Sequence, residues 1–172
     1  MTVRFDLLPV RALLTAAVTA LLAVGTPQPA GAAELQPVHR GGAQEHSASA
    51  AGLIPLARRG NAAAETRLGF FYEHGLGVPQ SYVVAVDLYT RAAEQGDSRA
   101  QYLLGLMYDK GQGVPQDFIL AHKWLNLATA RASRRDREDF MKIRNAVAFK
   151  MAPDQIALAQ RLAVEWVPQR RR

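Results

Sequence analysis

The chain has 172 residues, a formal charge of +6 and no cysteine. That length fits one domain, and the missing cysteine excludes both a disulfide framework and a lipid-modified amino-terminal cysteine. A pI of about 10.1 invites a nucleic-acid reading, but the arginines argue against it. Arg170, Arg171 and Arg172 form a terminal triplet, while Arg131, Arg134, Arg135 and Arg137 lie among Asp136, Glu138 and Asp139, the pattern of a solvated helix face.

Taken in chain order, Arg4 and Arg11 precede an apolar or small run from Ala12 to Gly25, then Pro27, Pro29 and the small residues Ala30 to Ala33. A basic start, a short apolar stretch and an A-x-A site predict a secretory signal peptide over 1–33, cleaved after Ala32 or Ala33. The stretch is too short to span a bilayer, which takes roughly 20 apolar residues. The expectation is a periplasmic or secreted protein with no integral membrane segment after cleavage. Residues 34–51 carry Gly, Pro, Ser and scattered charge without apolar periodicity, which predicts a disordered linker. Order is expected from residue 52, with Pro55 in the first turn of a short helix.

The most informative stretch comes next. Residues 64–82 and 100–118 align at a spacing of thirty-six, as from Leu68 to Leu104. The matches are Ala64/Ala100, Leu68/Leu104, Gly69/Gly105, Tyr72/Tyr108, Gly75/Gly111, Gly77/Gly113, Val78/Val114, Pro79/Pro115 and Gln80/Gln116. A fixed period of this length marks stacked units that bury their apolar faces against one another. Within a unit, Ala64, Leu68, Phe71 and Tyr72 make one helical stripe. Asn61 and Asp97 are placed to cap the first helices, and Ser81 and Asp117 the second. Gly75 and Gly77 end the first helix, and Pro79 and Pro115 put V-P-Q in a loop. Tyr82, Ala85, Leu88, Tyr89 and Ala92 form the inward stripe of the second helix, matched by Phe118, Ala121, Trp124, Leu125 and Ala128. Gly69 and Gly105 stand mid-helix, where glycine costs roughly 1 kcal/mol relative to alanine, so a close helix contact is expected at each.

This pattern resembles the Sel-one-like repeat (SLR) family, relatives of tetratricopeptide solenoids with a longer loop between the paired helices. Its signature, approximately A-x-x-x-L-G-x-x-Y-x-x-G-x-G-V, is met by Ala64–Val78 and Ala100–Val114, and Ala93–Gly96 supplies the A-x-x-G ending once. The resemblance covers about residues 53–131. It implies an all-α fold, a short right-handed α-solenoid of helical hairpins over 52–167, with repeats at 61–96 and 97–132 and degenerate capping helices at 133–167. Leu56–Gly60 reads as the tail of a truncated preceding unit. In the cap, Phe140, Ile143 and Val147 keep a helical stripe, and Pro153 opens a last helix with Ile156, Ala159, Leu162, Ala163 and Trp166 on one face. Residues 168–172 form a basic tail.

Spacing tests for chemistry fail one after another. No S-x-x-K and no G-x-S-x-G occurs, which matters because some cysteine-rich SLR relatives are linked to penicillin binding and β-lactamase activity. His39, His46, His74 and His122 make no H-x-x-x-H or H-E-x-x-H pair. The G-x-G loops join two helices and lack a third glycine, so they read as turns rather than phosphate cradles. Neither enzyme activity, metal, cofactor nor nucleic-acid partner is expected.

A surface remains. The first helix of each unit usually lines the inner face of a solenoid. Outside the core stripe it leaves Thr66, Phe70 and Glu73 in one copy and Tyr102, Leu106 and Asp109 in the other, with Arg67 and Lys110 beside them. This set is the expected partner groove, sized for a peptide segment, unless the degenerate third helix covers it. By resemblance the partner is a protein of the cell envelope, and the chain is a monomer or weak oligomer. The readings set against this are a cell-wall or β-lactam hydrolase and a cell-wall or anionic-polymer binder acting through the basic carboxyl end.

Overall fold

A computed structural model describes residues 39–169. The expected signal peptide, residues 34–38 of the expected linker, and Arg170–Arg172 of the basic tail lie outside the described residues. Seven helices and no strand are present among those described: α1 (His39–Arg58), α2 (Ala62–His74), α3 (Tyr82–Glu94), α4 (Ser98–Lys110), α5 (Phe118–Arg131), α6 (Arg137–Ala148) and α7 (Pro153–Val164). None is long and apolar enough to cross a membrane.

The repeat identities are explained by backbone groups that need partners at helix ends. Asn61 and Asp97 accept from the N–H groups of Ala64 and Ala100 at 2.9 and 2.8 Å, and Ser81 and Asp117 from Val84 and Leu120 at 3.3 and 2.9 Å. Gly75 and Gly111 both close their helices at φ 67°, a left-handed backbone that side chains disfavour. The loop is then tied back. Ser81 and Asp117 donate N–H to the carbonyls of Tyr72 and Tyr108, and Gln80 and Gln116 donate Nε2 to those of Glu73 and Asp109 at 2.8 and 2.7 Å. Each G-x-G-V-P-Q loop therefore carries its own hydrogen bonds, which is why it recurs.

Packing follows from the stripes. Leu68 and Leu104 are buried, contributing about 1.5–3 kcal/mol each. Ala85, Leu88, Tyr89 and Ala92 of α3 and Ala121, Trp124, Leu125 and Ala128 of α5 are buried with them, while Tyr82 and Phe118 are half-buried. The mid-helix glycines allow this approach: a Cβ on Gly69 would lie 2.7 Å from the Tyr89 ring, and one on Gly105 2.7 Å from Leu125 Cγ. Successive helices pack in order from α1 to α6.

Two expectations about the flanks are overturned. Residues 39–51 are not a disordered linker but most of α1, and Pro55 lies inside that helix rather than opening one. Ala50 and Ala57 are buried, and Leu53 and Ile54 pack beside them against Ala64, Leu68 and Leu88; spacings of three, one and three form a helical stripe. Gly77 comes so close to the His46–Ser47 backbone that a Cβ there has no room, as Gly113 does to Tyr82, thirty-six residues on from His46. Hence α1 occupies the place of a second helix in a preceding unit. At the other end the basic tail begins tied down: Gln169 N–H donates to Glu94 C=O at 2.7 Å.

The cap departs from the repeat for a covalent reason. Where the units have loops over residues 75–81 and 111–117, α6 and α7 are joined by residues 149–152 alone, without G-x-G-V-P-Q. There α7 packs on α5 instead of pairing with α6. Phe149, on the short link, is 92% exposed.

Candidate functional site

An inner groove runs between α2, α4 and the start of α6. It encloses about 520 Å³, lined on its apolar side by Ala63, Phe70, Phe71, Tyr102, Leu103 and Phe140, with Thr66, Arg67, Asp97, Arg99 and Asp136 among them. That volume falls within the range of sites that hold a small ligand or a few peptide side chains. Thr66 donates Oγ to Ala62 C=O and to Asp97 Oδ1 at 2.9 and 3.2 Å, tying the first turns of α2 and α4 together at the groove floor.

The structure brings four of the eight expected residues to this groove: Thr66, Arg67, Phe70 and Tyr102. The other four stand outside it. Glu73 accepts from the Tyr89 hydroxyl at 2.7 Å; burial first, and then this bond, push that hydroxyl far above its ordinary range, so it remains a donor. Asp109 accepts from Lys150 Nζ at 2.7 and 3.0 Å. Leu106 is half-buried and Lys110 exposed, neither lining the cavity. Phe140 of α6 stacks on Tyr102 at 4.3 Å and walls the groove, while Lys150, on the link after α6, holds Asp109. Half of the expected set thus lines the groove and half lies outside it.

Arg99, Phe71, Leu103 and Phe140 were missed from sequence. Arg99 sits one helical turn before Tyr102, so its place on the same face was readable. Phe140 was not, since α6 begins at Arg137, three residues later than the register from Ser98 would put it.

The charges at the mouth are unequal in availability. Asp97 caps α4, and Asp136 accepts from the Ser133 hydroxyl at 2.8 Å. Arg67 and Arg99 are exposed, and neither has an ion-pair partner among the described residues. No cluster of three or more histidine or carboxylate side chains suited to a metal ion is found among those residues.

Helical hairpins at a fixed period, stacked with an open inner groove, define an α-solenoid. A family model described as the Sel1 repeat matches twice, over residues 62–97 and 98–133, one residue later than the boundaries read from sequence. The chain thus carries two Sel1 repeats. Among solved structures it is similar to c5321, a protective antigen present in uropathogenic Escherichia coli strains displaying an SLR fold. There the TM-score is 0.66 at 31% identity, covering 71% of this chain and 26% of that one. It is also similar to a Sel1 repeat protein from Oxalobacter formigenes, with TM-score 0.49 and 34% identity over 52% of this chain and 68% of that one. Comparison with curated proteins gave no match. Sel1 repeats are generally protein–protein interaction modules.

Proposed function

We propose that the protein is an exported interaction module that holds a segment of a partner protein in its inner groove. The observation that carries this reading is the meeting of Phe70, Phe71 and Tyr102 around an open cavity of about 520 Å³ whose exposed charges, Arg67 and Arg99, are both positive, while the half-buried carboxylates of Asp97 and Asp136 accept hydrogen bonds from the chain itself. An apolar or aromatic side chain flanked by carboxylates is the ligand chemistry that fits: the aromatic wall supplies burial, and the arginines supply bidentate, charge-assisted hydrogen bonds. Export to the periplasm rests on the signal-like residues 1–33 and on nothing further.

Affinity capture from cell-envelope extracts tests the reading. Phe70→Glu places a carboxylate in the aromatic wall beside the site of an acidic ligand, so capture is expected to be lost while the far-ultraviolet circular dichroism stays unchanged. Lys110→Glu, outside the cavity, is expected to leave capture intact. A Phe70→Glu protein that still captures its partner removes this groove from consideration.

A further inference from the structure

The outer surface carries its own repeat. Between α3 and α5, Ala93, Glu94, Trp124 and Leu127 border a groove that the chain fills with its own carboxyl end. Ala163 of α7 joins their apolar cluster, and Trp166 meets Trp124 edge-on at 6.1 Å with Arg131 over its ring. Gln169 N–H closes on Glu94 C=O at 2.7 Å. Thirty-six residues earlier stand Ala57, Arg58, Leu88 and Arg91. These line the corresponding groove between α1 and α3, an open cavity of about 260 Å³ with Val84 at its lip. Leu56 and Val83 are exposed on the same two helices. Arg58 C=O, the counterpart of the Glu94 carbonyl, receives no backbone donor among the described residues.

The second seat thus shows what the first is shaped to hold, with one difference in charge. At the filled groove the Glu94 carbonyl holds Gln169, next in sequence to Arg170–Arg172, whereas the open groove is lined by Arg58, followed in sequence by Arg59, neither of them in an ion pair among the described residues, and its one acid, Asp87, is paired with Arg91. Like charges disfavour this chain's own carboxyl end there, so a second copy is the wrong occupant.

We propose that the groove between α1 and α3 is a docking site for an amphipathic helix of a partner protein. That helix presents small residues, is followed at once by an aromatic, as α7 is by Trp166, and continues into an acidic segment. The site is separate from the inner groove and independent of the reading given to it.

Two labelled peptides test this, each with residues 153–169 of this chain followed by Glu-Glu-Glu or by Arg-Arg-Arg, titrated against the full chain by fluorescence anisotropy. At about 0.15 M salt the acidic peptide should bind roughly tenfold tighter, since several exposed ion pairs each add a small factor. Val84→Glu should weaken it by a further factor of about ten without moving the melting temperature, and Arg58→Glu should reverse the preference between the peptides. Equal affinities, no binding of either peptide, or full binding to Val84→Glu would overturn the proposal. So would binding that responds to Lys123→Glu instead, because the peptide would then be displacing α7 from its own seat.

Discussion

The two complete hairpins, α2–α3 and α4–α5, share a backbone and differ in how its outer seam is held. In the first, the Glu65 carboxylate is wholly buried. Its Oε1 lies 2.5 Å from Arg91 Nη2, and its Oε2 accepts from Gln95 Nε2 at 2.7 Å. The same Arg91 nitrogen donates to Ala57 C=O at 3.1 Å. In the second, the corresponding residues are Gln101, Leu127 and Arg131. Gln101 donates Nε2 to Ala93 C=O at 3.1 Å, Leu127 is buried, and Arg131 has moved onto the Trp166 ring. The carbonyls of Ala57 and Ala93, one period apart, both accept a backbone N–H, from Gly60 and Gly96, and each takes its second bond from a different donor on a different helix. Positions that serve the backbone repeat; positions that serve the seam are free to change once the backbone's needs are met.

The largest expected effect comes from breaking the ionic seam on one side only. Arg91→Leu leaves the buried Glu65 charge without its cation and is expected to cost about 3 kcal/mol. Adding Glu65→Gln imports the pair found in the second unit and should bring stability back to within about 1 kcal/mol of the parent. Urea denaturation of the single and double variants measures this; a double variant as unstable as the single one would show that the two seams are not interchangeable.

A smaller loss should sharpen the comparison at the glycines. Alanine at Gly69 or Gly105 gains helix propensity but drives a methyl into the facing helix, for a net cost of about 1–2 kcal/mol. The cost should be greater at Gly69, because the Tyr89 ring it meets is tethered by its bond to Glu73. Thermal melts that rank Gly105→Ala as the worse variant would contradict that reasoning.

The smallest effect is confined to the second unit, which alone carries a buried imidazole. His122 on α5 is buried with its Nδ1 unpartnered. Burial, with the nearby Arg144 charge as the lesser cause, pushes its pKa below the ordinary 6.5. The unfolded chain therefore takes up a proton that the folded chain refuses once the pH falls below about 6.5, and stability declines as the pH drops from there. His122→Leu should flatten this decline between pH 7 and pH 5, and an unchanged slope would assign it to other groups.

Much of this was legible in the sequence because the repeat writes the same physics twice. Caps, glycines and the V-P-Q turn are local, so Asn61, Asp97, Gly75 and Gly111 declare their roles without any knowledge of the fold. The helix α1 was hidden, although its stripe of Ala50, Leu53, Ile54 and Ala57 was present, because Gly52 and Pro55 interrupt it with the residues usual in loops. It is helical because α2 and α3 offer a face to bury against, and that is a tertiary cause. One wall of the inner groove was readable as what the core stripe leaves over. Its other wall was not, since Phe140 reaches Tyr102 from a helix that starts three residues out of the repeat register.

The account's central claim is that partner contact falls on the groove lined by Arg67, Phe70 and Arg99 and avoids the expected positions that lie outside it. Photo-crosslinking residues placed singly at Arg67, Phe70 and Arg99, and at Glu73 and Lys110 for contrast, test it in cells. Covalent adducts with one common partner at the first three positions, and none at the last two, are expected. Adducts at Glu73 and Lys110 as strong as those at Phe70 would contradict it.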